Sequence, residues 1–488
     1  MNQIKKLAGQ TALYGLPSII GRSLNYFLVP LYTYKLSTGA YGVVTEMYAY
    51  VAFLLVILMY GMETAFFRYS ELEENKNKVY STSLISILFT SVVFIFLISI
   101  FSQDLANLIK HPNNNEYIIW FGLILGLDAI SSIPFAKLRI ENKVKKFVTI
   151  KLVNISANIG FNLFFILLCP WLLKNDIMPD FVNLVFDGEI GVKYIFISNL
   201  LASSITVVLL FPEIFQIKEK IDFRLLKKLL IYALPLMVLG MAGIVNETLD
   251  RVLLKYLLPE NIALSQLGIY GACYKVSILI TIFIQAYRYA AEPFFFKQAK
   301  SKDAKQIYAD VMNYFVIIVS FIFLGTLLYL DDIIIYFIGP DFREGANVIP
   351  ILLLANLFLG IFYNLSIWYK LTNKTLLGAY IAIIGAVITI ALNIYWIPRI
   401  GYIGSAWATL ICYAAMMLIS FILGHKYYPV KYNFKKIIGY LGLAILLYVF
   451  SKFLNFSTPA LRLSVHTAII FFYLIIVYFI EKPDFKKV

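Results

Sequence analysis

The chain has 488 residues, of which 61% are hydrophobic and only 14% charged, and its mean hydropathy is +0.80. Soluble domains carry roughly 45–50% apolar and about 25% charged residues, so a soluble fold is excluded: no core could hide this much apolar surface. The net charge of +14 does not point to nucleic acid, because the basic residues lie in short loops between apolar runs and not on one patch. Cys169, Cys273 and Cys412 sit far apart within apolar runs, which suggests neither a disulfide framework nor a metal site. No cofactor is expected.

In chain order, apolar runs long enough to cross the hydrocarbon core, which takes about 20 residues, recur about fourteen times. They cover roughly 8–34, 41–66, 80–101, 117–135, 147–172, 194–211, 228–250, 266–290, 307–330, 346–369, 375–397, 402–423, 437–454 and 463–480. The runs are continuous and lack a two-residue alternation, so they read as helices and not as barrel strands. The fold class is therefore all-α integral membrane, with about 14 transmembrane helices. The first run follows a basic start, Met1 to Lys6, like a signal peptide. Arg22 interrupts it and no small-residue cleavage site follows, so it reads as a retained span. With the N-terminus placed in the cytoplasm, 28 of the 42 lysines and arginines fall in inside segments and 10 outside. This bias predicts both termini inside.

The loops are short. Asp331 to Gly345 is apolar but too short to span, and predicts a segment lying in the outer interface. Pro212 to Lys228 is basic and predicts a linker resting on anionic headgroups. The start of the chain is echoed half-way along it: Leu13-Tyr14-Gly15-Leu16-Pro17 matches Ile231-Tyr232-Ala233-Leu234-Pro235. Tyr41-Gly42-Val43 likewise has its counterpart in Gly268-Ile269-Tyr270-Gly271. Such an echo suggests two structural repeats facing each other across a membrane.

Three stretches carry a family likeness. The first is Gln10 to Arg68, with Pro30-Leu31-Tyr32 and Tyr41-Gly42. The second runs from Leu234-Pro235 through Asp250-Arg251 to Gly268-Ile269-Tyr270. The third runs from Leu377-Gly378 through Asn393 and Ile397-Pro398 to Gly401–Thr409. In this order they resemble the oligosaccharide flippases of the MATE-like multidrug/oligosaccharidyl-lipid/polysaccharide exporter superfamily. The resemblance implies two six-helix lobes in pseudo-two-fold relation, spans 1–6 (residues 1–222) and 7–12 (residues 223–424), with spans 13 and 14 (residues 425–488) appended. It also implies alternating access in the cytoplasmic (inner) membrane, surrounded by membrane lipids. The substrate would be a polyprenyl-diphosphate-linked oligosaccharide, an O-antigen, capsule or exopolysaccharide unit. A glycan polymerase is the protein partner such a role would allow.

Charges kept in the bilayer are functional candidates, since each costs about 2.5–3.5 kcal/mol at mid-membrane. Arg22 lies in span one, Glu46 in span two, Glu247, Asp250 and Arg251 at the end of span seven, and Lys275 in span eight. These six could line one cavity. Arg22 and Lys275 are the best candidates for holding a diphosphate, Arg through a bidentate fork and Lys as a point charge; Arg251 and Arg288 follow. The alternative pairs Arg22 with Glu46, and Lys275 with Glu247 or Asp250. Arg288 and Glu292 are four apart and predict a pair on one helix. Lys151 is expected to snorkel inward. Asp128 is a candidate proton site. Asn154, Asn158 and Asn162 share one face of span five, and either meet sugar hydroxyls or hold helices together. Trp368, Trp396 and Trp407 lie where an aromatic belt is expected. Pro17 and Pro235 occupy equivalent places and predict a bend in each repeat.

The chain contains no His-Glu-x-x-His, Walker A or Gly-x-Ser-x-Gly pattern, and no enzyme activity is expected. The rival readings are a cation-coupled multidrug exporter and a peptidoglycan-precursor lipid flippase of the same fold.

Overall fold

The computed structural model describes residues 21, 24, 26–299 and 301–485. Among these there is no β-strand. A short helix, α1 (Leu28–Lys35), is the described end of the first predicted span. Among the described residues, thirteen helical segments are long and apolar enough to cross a membrane: α2 (Thr38–Leu72), α3 (Lys76–Ile100), α4 (Asn115–Ile140), α5 (Val144–Lys174), α6 (Val192–Ile214), α7 (Phe223–Leu257), α8 (Glu260–Gln298), α9 (Ala304–Leu328), α10 (Pro340–Leu371), α11 (Thr375–Ile400), α12 (Tyr402–Tyr427), α13 (Phe434–Lys452) and α14 (Pro459–Glu481). They match predicted spans two to fourteen one for one. The protein is a multi-pass membrane protein.

By packing, the chain divides into two compact units, with the cut between Gly268 and Ile269, inside α8. In the first unit α4 packs on α3 and α6, α6 on α5, and α7 on α2 and α3. Its core is built from Met62, Phe66, Tyr80, Leu84, Leu125, Ile133 and Leu229. In the second unit α12 packs between α10 and α11, and α9 carries α13 and α14. The last two helices are pinned by Glu481, which is 2% exposed and accepts from Lys436 and Tyr440.

One local departure from the expected pattern has a clear cause. Trp368 is not part of an interfacial belt: it is buried, donates from its indole nitrogen to Ser420 Oγ, and packs against Gly424, where a Cβ would collide with the ring. The predicted interfacial segment forms a helix, Leu330–Phe337, and a 3-10 stretch, Pro340–Val348. Its Ile335 and Tyr336 are exposed, while Asp332 is tied to Arg462 at the start of α14.

The start of α7 is set by Asp222. Its carboxylate caps the helix by accepting the Arg224 and Leu225 amides at 2.8 and 3.0 Å, and it pairs with Lys78 at the start of α3 at 2.6 Å. The Lys78 ammonium first, and then the Leu225 amide, hold the Asp222 carboxyl down to about 2. Because the folded value is depressed, this tie is complete above the ordinary aspartate value of about 3.9 and is lost as pH falls through about 2. Replacing Lys78 with Gln is expected to move the Asp222 midpoint back toward about 3.9, read by carbon NMR on labelled aspartates.

Candidate functional site

In the first unit α2 is crossed by α7 and also meets the start of α8. Near the middle, α2 breaks at Tyr60 and Gly61, both with positive φ (34° and 73°). The break lies against the Ala233 carbonyl: a Cβ at Gly61 would sit 2.5 Å from that oxygen. Two residues on, Pro235 interrupts the hydrogen bonding of α7. The weakest points of the two helices are therefore neighbours. The partner proline, Pro17, lies outside the described residues.

At the other end, the start of α2 meets the start of α8. Thr38 Oγ1 and Ser265 Oγ are 2.7 Å apart. A Cβ added at Gly42 would overlap the Leu264 carbonyl oxygen, and one at Gly268 would overlap that of Thr38. Thr38 and Gly42 are four apart, as are Leu264 and Gly268, so the two helices approach backbone to backbone through small residues.

Beside this crossing lies a buried charged cluster. Glu46 is fully buried. Its Oε1 accepts from Lys255 Nζ at 2.5 Å, and its Oε2 lies 2.8 Å from His111 Nε2. His111 Nε2 also lies 3.0 Å from Lys255 Nζ, which donates to the Ile109 carbonyl as well. Tyr50 reaches Glu46 through its hydroxyl, which is 2.8 Å from that of Tyr256. Lys110 pairs with Glu260. Neither Lys255 nor His111 was singled out by sequence. The predicted seventh span stopped at Asp250, but the helix runs to Leu257 and draws Lys255 inside. The apolar Val252-Leu253-Leu254 before it and Tyr256-Leu257-Leu258 after it were the available signal. Nothing local marks His111.

One turn nearer the middle of α7, Arg251 donates to the Glu247 carbonyl at 2.8 Å and lies 3.9 Å from Asp250 Oδ1. Asp250 is buried, accepts the Arg251 amide, and is not solvated at the boundary. Glu247 is exposed. It lies ten residues, about 15 Å, from the end of an apolar helix. At 35 residues the helix is longer than the about 20 that cross the hydrocarbon core, so its length leaves room for a carboxylate outside lipid. Gly240 and Gly243 are exposed on the same side.

The remaining polar candidates of this unit are engaged by the protein. Ser203 donates to Asp128 at 2.8 Å. Lys151 lies over the Phe135 ring at 4.1 Å. Asn154 donates to the Ala202 carbonyl and Thr206 Oγ1, joining α5 to α6. Asn162 accepts from Tyr32 and donates to Asn158. Arg22 lies outside the described residues.

In the second unit Lys275 is half-buried on α8. Arg288 lies 3.7 Å from Glu292, as the four-residue spacing predicts, with its guanidinium 4.0 Å over the Tyr363 ring. Lys370 joins the same carboxylate at 2.6 Å. Among the described residues, no group of His, Cys, Asp and Glu is placed to hold a metal ion.

Comparison with known proteins places this architecture. Residues 7–299 match the polysaccharide biosynthesis protein family. The chain belongs to that family. No curated protein sequence matches this member of the polysaccharide biosynthesis family. Its fold is shared with the Lipid II flippase MurJ, solved in an inward closed conformation (TM-score 0.72, 16% identity), over 96% of this chain and 99% of that one. It is also shared with an inward-facing multidrug resistance MATE family transporter of the MOP superfamily (TM-score 0.60, 13% identity; 87% and 94%) and with MATE in complex with MaD3S (TM-score 0.61, 12% identity; 87% and 98%). The family member thus shares its fold with the Lipid II flippase and with these MATE transporters.

Proposed function

We propose that this protein flips a polyprenyl-diphosphate-linked oligosaccharide from the inner to the outer leaflet of the cytoplasmic membrane, by alternating access of two repeat-related lobes. The observation that carries the reading is the cation excess around Glu292. Arg288 and Lys370 share that one carboxylate, and the three side chains are 26–39% exposed. An anionic headgroup could replace the shared carboxylate as their partner, in a chain whose family builds polysaccharides. Arg22, Lys275 and Arg251 are the further cations we assign to the diphosphate. Glu247 lies exposed on α7, and Asp128 is held in reserve as a proton site. Pro235, beside the break in α2, supplies the bend, and Pro17 its repeat counterpart.

A second reading, a peptidoglycan-precursor lipid as cargo, is favoured by the near-complete overlap with the Lipid II flippase fold. The profile of lipid-linked intermediates in a deletion strain separates the two. Accumulated undecaprenyl-linked oligosaccharide supports the first, and accumulated peptidoglycan precursor the second. Arg22→Gln and Lys275→Gln are each expected to reduce surface glycan at least ten-fold while lipid-linked sugar accumulates inside. Full complementation by both variants would reject the diphosphate assignment.

A further inference from the structure

We infer that Glu46, His111 and Lys255 form a proton-operated latch on the outer end of the first unit, closed when His111 is neutral and released when a proton from the outside binds. The inference rests on the alternating-access part of the proposed function and is indifferent to the cargo. It starts from the valence of one atom. His111 Nε2 lies 3.0 Å from Lys255 Nζ and 2.8 Å from Glu46 Oε2. A neutral imidazole nitrogen carries either a lone pair or a hydrogen, so Nε2 can accept from the ammonium or donate to the carboxylate, but not both. With Nε2 accepting, Lys255 bridges Glu46, His111 and the Ile109 carbonyl with its three N–H groups. This arrangement ties α7 to α2 and to the loop before α4, and its formal charge is zero.

A proton arriving on Nε2 removes the lone pair. The Lys255–His111 bond is lost, the new N–H turns to Glu46 Oε2, and two positive charges compete for one carboxylate at about 3 Å. The groups facing the cluster offer little relief. Tyr50 and Tyr256, from α2 and α7, hydrogen-bond to each other, and Glu260 at the start of α8 is held by Lys110. Asn114 lies between His111 and Glu116, the acid at the start of α4, and its amide is 3.5 Å from that carboxylate. Glu46 and His111 are both more than nine-tenths buried, so water cannot spread the added charge. Protonation therefore opposes the closed arrangement. Histidine is the side chain whose charge ordinarily changes between about pH 5 and 8. The latch lies beside the Thr38–Ser265 contact, where α2 and α8 start, which the charge bias of the loops places outside. It would accordingly open as external pH falls.

The test uses the full chain in lipid nanodiscs with nitroxide labels at Asp104→Cys and Asn261→Cys, both exposed positions outside the cluster. The native cysteines are buried. Pulsed dipolar distances are measured from pH 8 to pH 5 without substrate. We expect one short distance at pH 8 and at least a ten-fold gain of a longer one at pH 5. In His111→Gln the two distributions should coincide. Glu46→Gln, which removes the counter-charge of the buried Lys255 ammonium, should show the longer distance already at pH 8. A wild-type distribution that does not change with pH overturns the latch, as does a full pH response in both variants. Because no lipid-linked sugar is present, that failure would leave the flippase reading intact. Conversely, a deletion strain with no accumulated lipid-linked intermediate would remove the cargo and leave the latch.

Discussion

Oxidising the double variant Thr38→Cys/Ser265→Cys is expected to stop transport, with at least a ten-fold fall in surface glycan that a reductant reverses. The hydroxyl oxygens of the two residues are 2.7 Å apart, and the backbones approach so closely that a Cβ at Gly42 or Gly268 would strike the opposite carbonyl. A disulfide needs Cβ atoms about 3.5–4.5 Å apart, and hydroxyls in hydrogen-bond contact on touching helices bring the Cβ atoms close to that range. Cys169, Cys273 and Cys412 are buried and free, so they compete little for the oxidant. The bond would fix the starts of α2 and α8 together. If this end must part to let a headgroup out, a covalent tie holds the protein in one of its two states, and a carrier held in one state does not turn over. Single variants should transport with or without oxidant. Undiminished export by fully cross-linked protein would show that the exit lies elsewhere.

The helices were legible because the bilayer imposes a length and an apolar composition that few soluble segments share. Each described span was found within a few residues at its core. The errors fell at ends and partners. Span seven was cut at Asp250 because Asp-Arg reads as the water boundary, yet Asp250 is buried and α7 continues to Leu257. The sequence offers Arg22, on the preceding span, as one partner for Glu46, and Arg22 lies outside the described residues. The described partners are Lys255 and His111, which are 209 and 65 positions away. Periodicity cannot connect residues at such separations, because it reports only which face of its own helix a residue occupies. Arg288 and Glu292 were paired correctly, since four residues along a helix is a local distance; Lys370, brought in from α10, was not foreseen. Trp368 shows the same limit from the apolar side. Its place near a span end suits a belt, but a serine and a glycine on α12 make it a core residue.

Removing one member of the Glu46–Lys255 pair is expected to destabilise the protein by about 3–5 kcal/mol, because the remaining charge stays buried without its counter-ion. Glu46→Ala and Lys255→Met should both lower the thermal midpoint of the solubilised protein by several degrees at neutral pH. The double variant Glu46→Gln/Lys255→Met should recover most of the loss, since an uncharged pair of similar size carries no desolvation penalty. Their pH dependence should run in opposite directions. In Lys255→Met the carboxylate is left with His111, 2.8 Å away. A proton on that imidazole restores a counter-ion, so the defect should be smaller at pH 5 than at pH 8. In Glu46→Ala the ammonium and the imidazole remain 3.0 Å apart with no carboxylate between them, and protonation adds a second positive charge. That defect should grow over the same range. If both variants changed in parallel with pH, His111 would not be titrating against this pair. If neither lost stability, the buried charges would be reaching water that the packing of α2 against α7 excludes.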